Sequence, residues 1–189
     1  MNSTELRRHL RAPIGNNDTT SPWRLTLWDF ALTFYARPGV EAACLRLQDG
    51  AGLDVNALLW ACWLERHDLT PTADMAAADH PLWADVRTWQ REITTPLRHQ
   101  RRALKARANV NPDIAELRAT IKHAELLAER ETLAQLQAIA SSGQGIRPLT
   151  DQDPGLARRL CAWLATPTFS DLRALSTLQA RLDPPGPSD

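Results

Sequence analysis

Apolar residues along most of this chain return every three or four positions, the period of one helical face. No stretch alternates convincingly enough to predict a β-strand. Residues 1–20 are polar and end in Gly-Asn-Asn-Asp-Thr-Thr, the composition of a flexible N-terminal arm. Ser21-Pro22 then offers an N-cap followed by proline at the first helical position. The helix it opens should run to about Ala36. Trp23, Leu27, Phe30 and Phe34 share one face, while Leu25, Trp28, Leu32 and Tyr35 fill the others. A helix apolar nearly all round is expected to be buried, and this one is expected to be central.

Pro38 separates it from a second helix, in which Val40, Cys44 and Leu47 keep the period until Asp49-Gly50-Ala51-Gly52 ends it. Asp54 should cap a third helix reaching about Arg66, with Leu53 and Leu58 placed as a hydrophobic staple. Its inner face is Val55, Leu58, Leu59, Cys62 and Trp63, and residues 67–80 read as a loop. A fourth helix starts near His80-Pro81 and ends near Arg107, with Leu82, Val86, Trp89, Ile93 and Leu97 in phase. Pro96 falls inside that pattern, so a kink is expected between residues 92 and 96. A fifth helix opens at Asn111-Pro112 and runs to Ala140 along Ile114, Leu117, Ile121 and Ala124, then Leu126, Leu133 and Leu136. The short link between these two long helices makes them antiparallel neighbours.

The predicted fold class is all-α, an irregular helical bundle with a long antiparallel helical hairpin. The expected organisation is a helical core domain over 21–141 that includes the hairpin 81–140. A linker over 142–153, a short C-terminal helical pair over 154–183 and a disordered tail over 184–189 follow. The hairpin is expected to pack on the first three helices and project from them.

Composition narrows the function classes. The 189 residues are enough for one hydrophobic core. Twenty-two basic and 22 acidic residues cancel, so no global field draws in nucleic acid or an anionic membrane, and any charged partner must meet a local patch. Cys44, Cys62 and Cys161 are odd in number and widely spaced, and the first two sit among apolar neighbours. They read as free thiols in a reducing, cytoplasmic compartment. The N-terminus lacks the apolar stretch of a signal peptide. The longest apolar run, Ala57–Leu64, falls far short of the ~20 residues a membrane span needs.

Four constellations are candidates for chemistry. Polar residues within the first three helices define a candidate pocket of Trp28, Asp29, Tyr35, Arg37, Gln48, Asn56 and Trp60. The plain alternative is structural: Asp54 caps, Asp49 ends a helix, and Asp29 pairs with Arg37 or a backbone group. Residues 85–107 carry seven Arg or Lys against Asp85 and Glu92. Arg98, Arg101, Arg102 and Lys105 share one helical face as a candidate partner surface. It suits an acidic protein surface. It suits nucleic acid less well, because no aromatics are interleaved for base stacking. The alternative is a solvated face, with acids of the next helix neutralising the base of the hairpin more than its tip. His67, Asp68, Asp74, Asp79 and His80 cluster in the loop but match no metal-ligand spacing. Seven tryptophans are many for a chain with one tyrosine: a partly exposed Trp60 or Trp63 would mark a binding surface, and the plain alternative is that all of them lie in the core or at its rim. No nucleophile elbow, P-loop or dinucleotide fingerprint occurs, so no catalytic residue and no cofactor is predicted.

Leu-Trp-Asp-Phe-Ala-Leu-Thr-Phe-Tyr-Ala-Arg-Pro-Gly-Val-Glu-Ala-Ala-Cys-Leu-Arg-Leu-Gln-Asp (27–49) followed by Gly-Leu-Asp-Val-Asn-Ala-Leu-Leu-Trp (52–60) resembles an uncharacterised family of small proteobacterial proteins, a domain of unknown function. Pro96–Lys105 and Glu125–Glu129 fit it as well, and the likeness covers roughly residues 22–140. It implies a bacterial, soluble, helical protein and carries no activity. The function expected from all of this is a non-enzymatic interaction or adaptor protein, working through the basic hairpin and an aromatic patch. A small-ligand-binding protein and an RNA-associated factor are the alternatives.

Overall fold

The computed structural model describes residues 26–76 and 80–182. The expected arm, the start at Ser21-Pro22, Trp23, Asp79 and the tail lie outside them. The described chain is helical apart from one two-stranded ribbon, and it divides into two compact units, 26–76 with 145–182 and 80–144. That partition differs from the expected one, because the C-terminal helices share the unit of the first three helices.

In the first unit, α1 spans Leu27–Tyr35, α2 Val40–Ala51 and α3 Val55–Glu65. Thr26 caps α1: its Oγ1 accepts from the Asp29 N–H at 3.1 Å and donates to Asp29 Oδ2 at 2.7 Å. Gly39 sits at φ +85° between α1 and α2, a left-handed conformation that disfavours any side chain. Asp54 caps α3 as predicted, accepting from the Ala57 N–H at 2.9 Å. The central helix is α3 rather than α1. Every residue from Leu58 to Leu64 is buried, because nothing polar interrupts that run. In α1 the polar Asp29 and Thr33 turn out to solvent.

Chain from the expected loop and the expected linker pairs instead. β1 (Leu69–Pro71) and β2 (Ile146–Pro148) are antiparallel, with Thr70 opposite Arg147. The ribbon continues through Leu149 N–H to Asp68 O at 2.8 Å and Thr72 N–H to Gly145 O at 3.0 Å. Two helices follow, α8 (Leu156–Cys161) and α9 (Phe169–Leu182). Thr168 and Asp171 form a reciprocal capping box at the start of α9. α9 lies along α2 in the most extensive helix–helix contact among the described residues, with Ala174, Leu175, Leu178 and Leu182 buried. Each such leucine contributes roughly 1.5–3 kcal/mol of burial. Arg37 donates to the Arg181 and Leu182 carbonyls, and Arg181 Nε returns a bond to Pro38 O at 3.0 Å. These arginines fasten the α1–α2 turn to the end of α9.

The second unit is the hairpin. His80 Nδ1 caps a 3-10 turn over Pro81–Trp83. Then come α4 (Ala84–Trp89), a π turn over Gln90–Thr94, α5 (Thr95–Ala103), α6 (Lys105–Ala108) and the 30-residue α7 (Pro112–Ser141). This π turn overlaps the region where a kink is expected, between residues 92 and 96. Thr95 N–H reaches Gln90 O, five residues back, and Pro96 has no N–H to offer Glu92. Asn111 Oδ1 caps α7, accepting from the Asp113 and Ile114 N–H groups at 2.9 and 3.2 Å.

Candidate interaction surface

Helical side chains lean toward the N-terminus of their own helix, so long side chains on antiparallel α5 and α7 meet about a turn away from the level of their backbones. Arg118 Nε bonds Arg101 O at 3.2 Å, which sets the backbone register. The Arg101 guanidinium nevertheless reaches back to Glu125, with Nη2 to Oε1 at 3.2 Å and Nε on Oε2. Arg98 joins the same carboxylate, Nε to Oε1 at 3.1 Å, and also Glu129, Nη2 to Oε1 at 3.0 Å. Below this cluster the Trp89 indole N–H donates to Ala128 O at 2.9 Å.

Glu125 is only 6% exposed. Burial pushes its carboxyl upward, but hydrogen bonds and charge from Arg101 and Arg98 outweigh that and hold it below the ordinary range. Burial raises Glu129, and Arg98 offsets this only in part.

Of the four basic residues predicted to form one surface, the structure therefore separates two from two. Arg98 and Arg101 are engaged inside the hairpin. Arg102 and Lys105 are exposed, as is Arg107, and among the described residues none of these three makes an ion pair. From Arg102 to Ala124 five basic residues face two acids, Asp113 and Glu116. At the turn, Val110 is 85% exposed, and Leu117 on α7 is half-exposed. Exposure of Val110 was not legible, since its neighbours Asn109 and Asn111 mark only a turn.

The candidate pocket does not assemble as one site. Tyr35 and Arg37 line a solvent-open hollow of about 410 Å³ with Pro38, Gly39, Glu41 and Leu45. Trp28, Asp29, Gln48, Asn56 and Trp60 are not part of it. Asp29 sits exposed in the first turn of α1 with Thr26, Asn56 and Trp60 are buried, and Arg37 stacks over Phe34 at 5.6 Å while binding the end of α9.

The expected aromatic patch is corrected too. Trp60 and Trp63 are both fully buried, because α3 is covered on all sides, and no described tryptophan is fully exposed. His67 packs edge-on to Trp63 at 5.0 Å, and Asp68 and Asp74 are exposed. Among the described residues no three His, Cys, Asp or Glu side chains are grouped to hold a metal ion, and no helix is long and apolar enough to cross a membrane. Burial raises the thiol pKa of Cys44 to about 12 and that of Cys62 well above its usual value, an environment that disfavours the nucleophilic thiolate.

The family model described as Protein of unknown function (DUF2390) matches residues 26–136. No curated protein and no solved structure matches the chain. The family match runs from the cap of α1 into the last turns of α7, more than half of the sequence, and the chain belongs to the DUF2390 family.

Proposed function

We propose that this chain is a non-enzymatic bacterial adaptor of the cytosol that docks an acidic surface of another protein through its hairpin tip. One observation carries the reading. Among the described residues, Arg102, Lys105 and Arg107 are exposed without carboxylate partners at the same end as the exposed Val110, whereas Arg98 and Arg101 are neutralised by Glu125 and Glu129. A positive rim around an apolar contact favours a protein partner with carboxylates around a shallow socket. Among the described residues no exposed tryptophan stands beside these cations, which speaks against stacking on nucleic-acid bases. The small-ligand reading lacks comparable support, since five of its seven residues lie away from the hollow.

The test is affinity capture from the native host, with and without nuclease, comparing wild type with Arg102→Ala/Lys105→Ala/Arg107→Ala. Protein partners that persist after nuclease and vanish with the triple variant support the adaptor. Partners lost to nuclease move the assignment to RNA, and an unchanged partner set with the triple variant sinks the role of the tip.

A further inference from the structure

The segment of the hairpin beyond the π turn is held unlike the other described α-helices, each of which has buried residues. Neither α5 nor α6 has a single buried residue, so little apolar surface fixes them to α7. What fastens them is polar: Arg98 and Arg101 on Glu125, Arg98 on Glu129, and Arg118 on the Arg101 carbonyl. At the inner end of this arm stand the π turn and Pro96, where the regular helical bonding is already interrupted. The Thr94 hydroxyl there is buried and makes no hydrogen bond among the described residues. An element held by few buried contacts belongs to the low-stability end of a protein and opens without global unfolding.

We propose that Glu125 is an internal latch: it holds the arm 95–108 on α7 by occupying Arg98 and Arg101, and a carboxylate-rich segment of the protein partner takes over those two arginines as the arm turns outward at the π turn. This rests on the adaptor reading and adds its regulation. The exposed tip cations make first contact, and the masked pair strengthens the complex once Glu125 is displaced. The incoming carboxylates offer the guanidinium groups the same paired geometry that Glu125 provides. Glu129 remains behind on α7 with Glu125.

Two measurements on the full chain test it. Hydrogen exchange followed by mass spectrometry compares wild type, Glu125→Gln and, as a control outside the cluster, Glu116→Gln. In Glu125→Gln, amides of 97–108 should exchange about tenfold faster while 84–89 and 126–136 keep their wild-type rates. Fluorescence anisotropy with labelled poly-L-glutamate at low salt should show about tenfold tighter binding by Glu125→Gln, a gain abolished by adding Arg98→Ala and Arg101→Ala. Glu125→Ala, checked for wild-type helical circular dichroism, covers the case in which the glutamine amide still bridges the arginines. Unchanged exchange over 97–108 in both Glu125 variants overturns the latch, as does acceleration spread over all of 80–144. Faster exchange with no gain in poly-L-glutamate affinity overturns the takeover of the arginines. If only the latch is wrong, wild type still binds poly-L-glutamate and loses it with the Arg102, Lys105 and Arg107 substitutions. If the adaptor reading is wrong, no variant binds.

Discussion

Arginine has opposite roles at neighbouring positions of α5. Arg101 places its guanidinium on the buried Glu125, and Arg102, one step around the helix, stands in solvent. Removing Arg101 leaves a buried carboxylate with one partner fewer, so Arg101→Ala should cost about 1–3 kcal/mol. Arg102→Ala should stay within about 0.5 kcal/mol. Urea denaturation followed by circular dichroism measures both, and equal losses would contradict the division of the basic face into paired and unpaired residues. The cysteines give a second contrast. Cys44 and Cys62 are fully buried with raised thiol pKa values, while Cys161 is half-buried. Iodoacetamide on the native protein should label Cys161 first, with all three labelled only in denaturant, as read by intact and peptide mass spectrometry. Early labelling at Cys62 would show that α3 is not enclosed.

At the scale of elements, local signals did most of the work wherever an element depends on its own residues. Asp54 and Asn111 cap where their side chains predict, and α2, α3 and α7 keep close to the expected bounds. Three features needed information that lies far away in sequence. The three-residue strands exist because Thr70 finds Arg147, and neither run is long enough to alternate visibly. Which helix is central depended on what covers it. The Arg98–Glu125 pairing depended on side chains leaning a turn along each helix, which a count of residues opposite one another overlooks. The Tyr-Ala-Arg-Pro-Gly-Val segment reads differently once α9 is seen against it, because Arg37 and Gly39 both meet that helix. α9 lies beyond the family match, yet it closes the apolar face of α2. Leu178→Ala should therefore cost about 2–5 kcal/mol. A chain ended at Gln144 should lose the cooperative thermal transition of the first unit, with calorimetry as the check. A normal transition from that shortened chain would mean that α9 is dispensable to the core.

For the whole molecule, zero net charge conceals carboxylates poised in opposite senses. Glu125 is held low by Arg101 and Arg98 against its burial, and Asp171 is held low first by hydrogen bonds from Thr168 and then by Arg46. A carboxyl depressed in the folded state stabilises above its unfolded value, near ~4, and that contribution is lost as pH falls through the folded value. Glu129 has the opposite sign. Burial raises it, so its contribution is complete below its unfolded value of ~4.3 and is lost as pH rises through the raised folded value. Stability of the 80–144 unit should rise as pH falls through the Glu129 transition, then fall in stronger acid as Glu125 is protonated. In the other unit Asp171 and Asp153, the latter paired with Arg147 and Thr150, are both held low, so their contributions are lost in stronger acid. Hydrogen exchange resolved by segment, corrected for the intrinsic pH dependence of exchange, follows both units in one experiment. Glu129→Gln should remove the rise and leave the acid limb in place. A rise that survives in Glu129→Gln would assign it to another group, and a hairpin that weakens steadily from pH 7 downward would show that Arg98 outweighs burial at Glu129.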